Sequence, residues 1–115
     1  MRHLKKGRKF GRERNQRRAL IKGLATSFFM RGKIRTTEAK ARELRPIVEK
    51  FLTVGKDTAL ANRRVLGSRF SPSAIAKIFE MGRHFKDRSG GYTRIIKISG
   101  RRRDSARMAI LEIVK

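Results

Sequence analysis

Residues 32–52 read GKIRTTEAKARELRPIVEKFL, and within them the apolar pattern changes from alternation to helical spacing. In residues 33–36, Ile34 and Thr36 are β-branched and alternate with Lys33 and Arg35, which predicts a short strand. Thr37 then offers its side-chain oxygen to the unpaired amides that begin a helix. Leu44, Ile47, Val48, Phe51 and Leu52 recur at helical intervals and form the inward face of that helix. Pro46 removes one backbone hydrogen bond inside it, so a bend or a break is expected there.

On the N-terminal side, Leu20, Ile21, Leu24, Ala25, Phe28 and Phe29 fall on one helical stripe, with Asn15 the expected cap and Gly32 the expected stop. On the other side, Gly55 and Asp57 punctuate the chain before a third helix at 58–69, whose apolar members are Leu60, Ala61, Val65 and Leu66. Ser71-Pro72 places a hydroxyl before a proline at the first helical position, and Ile75, Ile78 and Phe79 mark an inward face up to Gly82. Residues 92–98 and 108–114 are rich in β formers, and joined through 100–106 they make an antiparallel hairpin. The expected architecture is about four helices packed against a small mixed or antiparallel sheet, built from the strand after the first helix and the C-terminal hairpin. A chain of 115 residues holds one such domain, here 15–115, preceded by an arm at 1–14.

Residues 1–18 carry nine Lys or Arg and only Met1, Leu4 and Phe10 as large apolar side chains, so the arm is expected to be disordered when unbound. Over the whole chain 32 Lys and Arg face 9 Asp and Glu, a net charge of +23. Self-repulsion on that scale opposes compaction unless a polyanion compensates it. Arg outnumbers Lys by 20 to 12, and the guanidinium both forks onto phosphates and stacks on bases. Nucleic acid is therefore the expected partner. The chain has no Cys, which excludes disulfides and thiolate metal sites and fits a reducing, cytoplasmic setting. The basic start followed by the apolar residues 19–30 imitates a secretory signal, but Lys22 interrupts the run and its residues recur at helical spacing.

Four groups of residues are candidate contacts. The arm supplies Arg2, His3, Lys5, Lys6, Arg8, Lys9, Phe10 and Arg12, continued by Arg17 and Arg18 at the start of the first helix. Flexible basic chain follows a phosphate path that no rigid surface reaches, and Phe10 either stacks on RNA or folds back onto the domain. Arg63, Arg64 and Arg69 on the third helix, with Arg83, Lys86 and Arg88 beyond the fourth, form either a phosphate-holding cluster or an ordinary solvated face. Gly90-Gly91-Tyr92-Thr93-Arg94 either brings bare amides up to a phosphate with Arg94 pairing a second one, or is a glycine turn with Tyr92 packed on the core. Arg101, Arg102 and Arg103 at the hairpin tip repel one another unless phosphates lie between them.

Other functions find little support. His3 lies in the arm and His84 in a basic loop, the acids are scattered, and no nucleotide-binding glycine run, HExxH pair or nucleophile elbow occurs, so no catalytic residue, cofactor or metal is expected. Residues 72–81 offer only Ser73, Lys77 and Glu80 as polar groups, too apolar for the reading helix of a helix-turn-helix. Neither an RRM aromatic signature nor a GxxG clamp is present.

The start MRH with KKGRKFGR, the run TTEAKARELRP, Ala61-Asn62-Arg63-Arg64, and RSGGYTRI, in this order along the chain, closely resemble the bacterial ribosomal large-subunit protein seventeen family. The resemblance implies an α+β protein built into large-subunit rRNA on the solvent side near the peptide exit, beside other ribosomal proteins, with no membrane or small-molecule partner. Arg2, His3, Lys5, Gly7, Arg8 and Lys9 match the family's RNA-inserted start, and Arg63, Arg64, Gly90, Gly91, Tyr92 and Arg94 its other motifs. The competing expectation is a nucleoid-type, non-specific DNA-binding protein.

Overall fold

A computed structural model of the chain describes residues 10–11, 13–101 and 103–114. The elements run α1 (Arg14–Arg31), β1 (Lys33–Thr37), α2 (Glu38–Val54), α3 (Leu60–Gly67), α4 (Pro72–His84), β2 (Thr93–Ile98) and β3 (Met108–Ile113). Among the described residues, four helices and one three-stranded antiparallel sheet make the expected α+β architecture. The sheet order is β1-β3-β2, so the C-terminal hairpin is present and β1 joins it along the far side of β3.

The switch from β1 to α2 follows the sequence pattern. Ile34 pairs across to Leu111 and Thr36 to Ala109, both on the helix-covered face, and Thr36 is buried. Thr37 caps α2, its Oγ1 accepting from the Lys40 amide at 3.4 Å. The next amide, Glu38 N–H, donates to the Arg107 carbonyl at 2.8 Å, which ties the helix start to the approach of β3. The α2 helix runs unbroken through the exposed Pro46. Its buried stripe of Ala41, Leu44, Val48 and Leu52 lies over the sheet, and each such side chain contributes about 1.5–3 kcal/mol when fully removed from water, the alanine less.

Three helix boundaries differ from expectation. The α1 helix is capped by Glu13, not Asn15: Glu13 has extended backbone and its carbonyl accepts from Arg17 N–H at 2.8 Å, while Asn15 lies exposed in the first turn. The α3 helix is only eight residues long, because Asp57 turns the chain ahead of it, Oδ1 accepting from the Ala59 amide at 3.0 Å. Of its four expected apolar members only Leu66 is buried, and Leu60 and Val65 are 62% and 47% exposed. The α4 helix does not stop at Gly82 but continues to His84, since Gly82 is a buried crossing point with the end of α2.

The core contains an aromatic chain that helical periodicity did not reveal. Phe70, in the turn between α3 and α4, meets Phe29 of α1 at 5.6 Å and Phe51 of α2 at 5.0 Å, both edge to face. Such pairs contribute roughly 0.5–1.5 kcal/mol beyond area burial. Gly32 ends α1 with φ 81, a left-handed turn that costs glycine no Cβ clash, and its carbonyl accepts from Ile113 N–H at 3.2 Å. That bond locks the end of α1 to the end of β3.

Candidate nucleic-acid interface

The distribution of charge follows from how the acids are used. Glu38 pairs with Arg42 at 2.7 Å and Lys97 at 3.6 Å, Glu112 with Arg94 at 2.6 Å, Glu80 with Lys77 at 3.9 Å and Asp104 with Arg101 at 2.9 Å. Glu49 pairs loosely with Arg45 at 3.9 Å and accepts from both the amide and the hydroxyl of Thr93, at 3.2 and 3.0 Å. Exposed pairs of this kind contribute only about 0–1 kcal/mol each, so they order the surface more than they stabilise it. Their effect is subtractive: most of the anionic charge is engaged inside the molecule. Arg14, Arg18, Lys22, Arg31, Arg64, Arg69, Arg83, Lys86 and Arg103 remain exposed cations outside these ion pairs.

Of the candidate contacts, Arg2, His3, Lys5, Lys6, Arg8, Lys9, Arg12 and Arg102 lie outside the described residues. Phe10 and Gly11 have φ of 53° and 61°, a left-handed pair that turns the chain just ahead of α1, and Phe10 is half-buried. Arg18 projects from α1 into solvent and Arg17 is partly covered.

Arg63 and Arg64 are adjacent but differently placed. The Arg63 guanidinium donates from Nε to the Thr58 carbonyl at 3.0 Å and lies 5.5 Å from the centroid of Phe79, which pins it to the protein. Arg64 is exposed. Helix α3 thus presents one anchored and one outward guanidinium.

The segment around Gly90-Gly91 is a built loop. Arg88 donates from Nη1 to the Gly91 carbonyl at 3.4 Å and lies 5.8 Å from the Phe85 ring, while its own carbonyl accepts from the Lys56 ammonium. Gly90 and Gly91 have φ of 148° and 63°, and no atom lies within 4 Å of where a Cβ would stand on either, so their outer side is open. Tyr92 is packed on the core: its ring is 1% exposed, 5.1 Å from Phe85, with Lys56 Nζ 4.7 Å above it. The ring is a core residue and is not available as a stacking platform for a base. Burial acts to raise the Tyr92 hydroxyl, but hydrogen bonds with Lys56 and Thr53 and the Lys56 charge outweigh it and hold the group below the ordinary phenol value.

The hairpin connection also differs from a bare cationic tip. Arg101 forks onto Asp104, Nε to Oδ1 at 3.3 Å and Nη2 to Oδ2 at 2.9 Å, and Asp104 Oδ1 accepts from the Ala106 amide at 3.1 Å. Arg103 points to solvent. Arg94 sits on the uncovered face of the sheet, bonded to Glu112. Local pattern could not have shown Lys56 bracing the glycine loop, or Arg45 and Glu49 holding Thr93, because each pair of partners is more than thirty residues apart. Among the described residues no group of His, Asp and Glu is placed to hold a metal, and no helix is long and apolar enough to cross a membrane.

Together these features define a small, strongly cationic α+β protein in which Glu38, Glu49, Glu80, Asp104 and Glu112 are engaged in ion pairs and many guanidinium and ammonium groups face outward. Residues 20–114 match the family model of ribosomal protein L17, and the chain belongs to that family. Over the full chain it is 43% identical to the large ribosomal subunit protein bL17 of Pelobacter propionicus, of which 92% is covered. It is 47% identical, over 93% of its own length and 97% of theirs, to the proteins of the same name from a Thermoanaerobacter species and from Thermoanaerobacter pseudethanolicus. The family is one of ribosomal proteins, which are in general structural constituents and not enzymes.

Proposed function

We propose that this chain is a structural component of the large ribosomal subunit that binds large-subunit rRNA through phosphate contacts and ties separate RNA elements together. The observation that carries this reading is the asymmetry of the charged surface: the acids are largely engaged in internal pairs while Arg64, Arg69, Arg83, Lys86 and Arg103 face outward. A surface of this kind gains free energy by releasing the counterions condensed on a polyanion. The basic residues 1–14 reach between RNA helices, and the body docks through α3, the glycine loop and the hairpin tip. By the family resemblance the site is cytoplasmic, on the solvent side near the peptide exit, beside neighbouring large-subunit proteins.

The test is co-sedimentation of the tagged chain with ribosomal subunits from a cell lysate, followed by binding of the purified protein to large-subunit rRNA across a salt series. The expected result is a peak with the large subunit and an affinity that falls by a log–log slope of about 0.9 per phosphate on duplex and about 0.7 on single strands. A flat salt response, or material released by deoxyribonuclease and not by ribonuclease, overturns it in favour of a general DNA binder.

A further inference from the structure

A groove of about 580 Å³ opens between the C-terminal ends of α1 and α4, beside the end of β3. Phe29, Met30, Met81, Phe85 and Ile113 are its apolar lining, and Met30 is 43% exposed. Its rim carries the cations Arg31 on one side and Arg83 on the other, with His84 next to Arg83. The one acid at the rim, Glu80, faces Lys77 at 3.9 Å. An apolar slot edged with surplus positive charge fits an occupant that is flat and poorly hydrated in its body and anionic at its ends.

His84 sharpens the choice. It lies in the last turn of α4, exposed, with its ring 4.9 Å from the buried Phe85 at an interplanar angle of 74°. An exposed aromatic ring usually samples many orientations. This one lines the groove and packs at a steep angle on a buried ring, which lowers the ordering cost of a base stacking on it. Single-stranded RNA offers the complement, an unstacked base for the slot and the imidazole face, with flanking phosphates for Arg31 and Arg83.

We propose that this groove receives one unstacked nucleobase of the RNA, stacked on His84, with the adjoining phosphates on Arg31 and Arg83. The inference rests on the RNA-binding reading above and adds to it a base-accepting site in the body of the protein, away from the arm. Binding there is by shape and stacking, so it distinguishes a strand that can splay out a base from a continuous duplex.

The test uses the full chain bound to large-subunit rRNA. A photoreactive benzoylphenylalanine at position 30 is expected to crosslink to RNA at one nucleotide. His84→Ala is expected to expose the base of that same nucleotide to chemical modification and to weaken binding about tenfold with an unchanged salt slope. Arg83→Gln is expected to lower the slope by about 0.7–0.9. Both side chains are exposed, so thermal melts of the variants should match the parent. If the parent binds rRNA with a steep salt slope yet the probe crosslinks only to protein, or His84→Ala changes neither affinity nor modification, the groove holds no base and the proposal falls while RNA binding stands. If the parent does not bind rRNA, the broader reading falls first and this one with it.

Discussion

Gly82 of α4 lies directly against the backbone of Gly55 at the end of α2: a Cβ on Gly82 would stand 2.8 Å from Lys56 N and closer still to the Gly55 carbonyl. On the opposite side of the same crossing, a Cβ on Gly55 would stand 2.8 Å from the side chain and the carbonyl of Ile78. Two helices therefore meet backbone to backbone, and both glycines are required for close approach. Gly82→Ala should destabilise the protein by about 1–3 kcal/mol despite the better helix propensity of alanine, because backbone atoms cannot yield as a flexible side chain does. Gly23→Ala, in the exposed middle of α1 with nothing within 4 Å, should stabilise by about 0.5–1 kcal/mol. Urea denaturation of the two variants checks the contrast, and equal effects would refute it.

Glu49 and Arg45, one turn apart on α2, occupy the peptide groups of Thr93 at the start of the edge strand β2. The Glu49 carboxylate takes the amide at 3.2 Å, and Arg45 Nη2 donates to the carbonyl at 3.2 Å. Thr93 is 2% exposed, so Glu49→Ala leaves a buried amide and hydroxyl without their acceptor and should cost about 1–3 kcal/mol. Amide exchange at Thr93 should accelerate well beyond the change at Leu111 in the central strand. Uniform acceleration would mean that the pair acts only through global stability.

Asp104 gives the hairpin connection a pH dependence. Its carboxyl is held below the ordinary 3.8, chiefly by the Ala106 amide; burial opposes this, and the charge and hydrogen bond of Arg101 add to the lowering. A lowered folded-state value means that the contribution is complete above the ordinary carboxylate range and is lost as pH falls through the lowered value. In an NMR titration the Ala106 amide shift should report a midpoint below 3.8, and Arg101→Gln should move that midpoint up. No movement in the variant would show that Arg101 is not a cause.

Outward and engaged guanidinium groups should differ in binding. Arg64→Gln and Arg103→Gln should each lower the salt slope of rRNA binding by about 0.7–0.9. Arg94→Gln should lower it less, because Arg94 is already bonded to Glu112 at 2.6 Å. Identical slopes for the three variants would argue that the Glu112 pair opens on binding.

Phe70 joins two helices, α1 and α2, through its ring contacts, and Phe70→Ala should cost about 3–5 kcal/mol. A loss below 1 kcal/mol on chemical denaturation would show that the surrounding rings collapse to fill the space.

The elements whose faces are set by their own periodicity were legible in the sequence. The α1 stripe ending at Phe28 and Phe29, the strand with Ile34 and Thr36, the Thr37 cap and the closing hairpin all follow from local pattern. What was not legible depends on distant neighbours. Gly82 looked like a stop because its reason, the Gly55 backbone, lies twenty-seven positions away. Phe70 and Phe85 sit in a turn and beyond a helix end, where no periodicity marks a residue as inward. The charged clusters were visible as clusters, but which guanidinium groups are engaged was not: Arg94 is fixed by Glu112, eighteen positions away, and Arg63, Arg88 and Arg101 by nearby groups that the local turns bring into reach.

The sheet order places the last element in chain order, β3, between the other two strands, with Lys33 opposite Glu112 and Arg94 opposite the same residue. A chain made from its N-terminal end therefore has β1 and β2 in existence before either has a partner. Closing the β1 pairing joins Lys33 to Glu112, the kind of late, long-range contact that slows folding. Until β3 emerges, Ile34 and Ile95 lack the Leu111 row that covers them, and the helices lack a platform. The sheet of this protein can close only after all of the described helices have been synthesised, while its cationic segments are already exposed to any polyanion nearby.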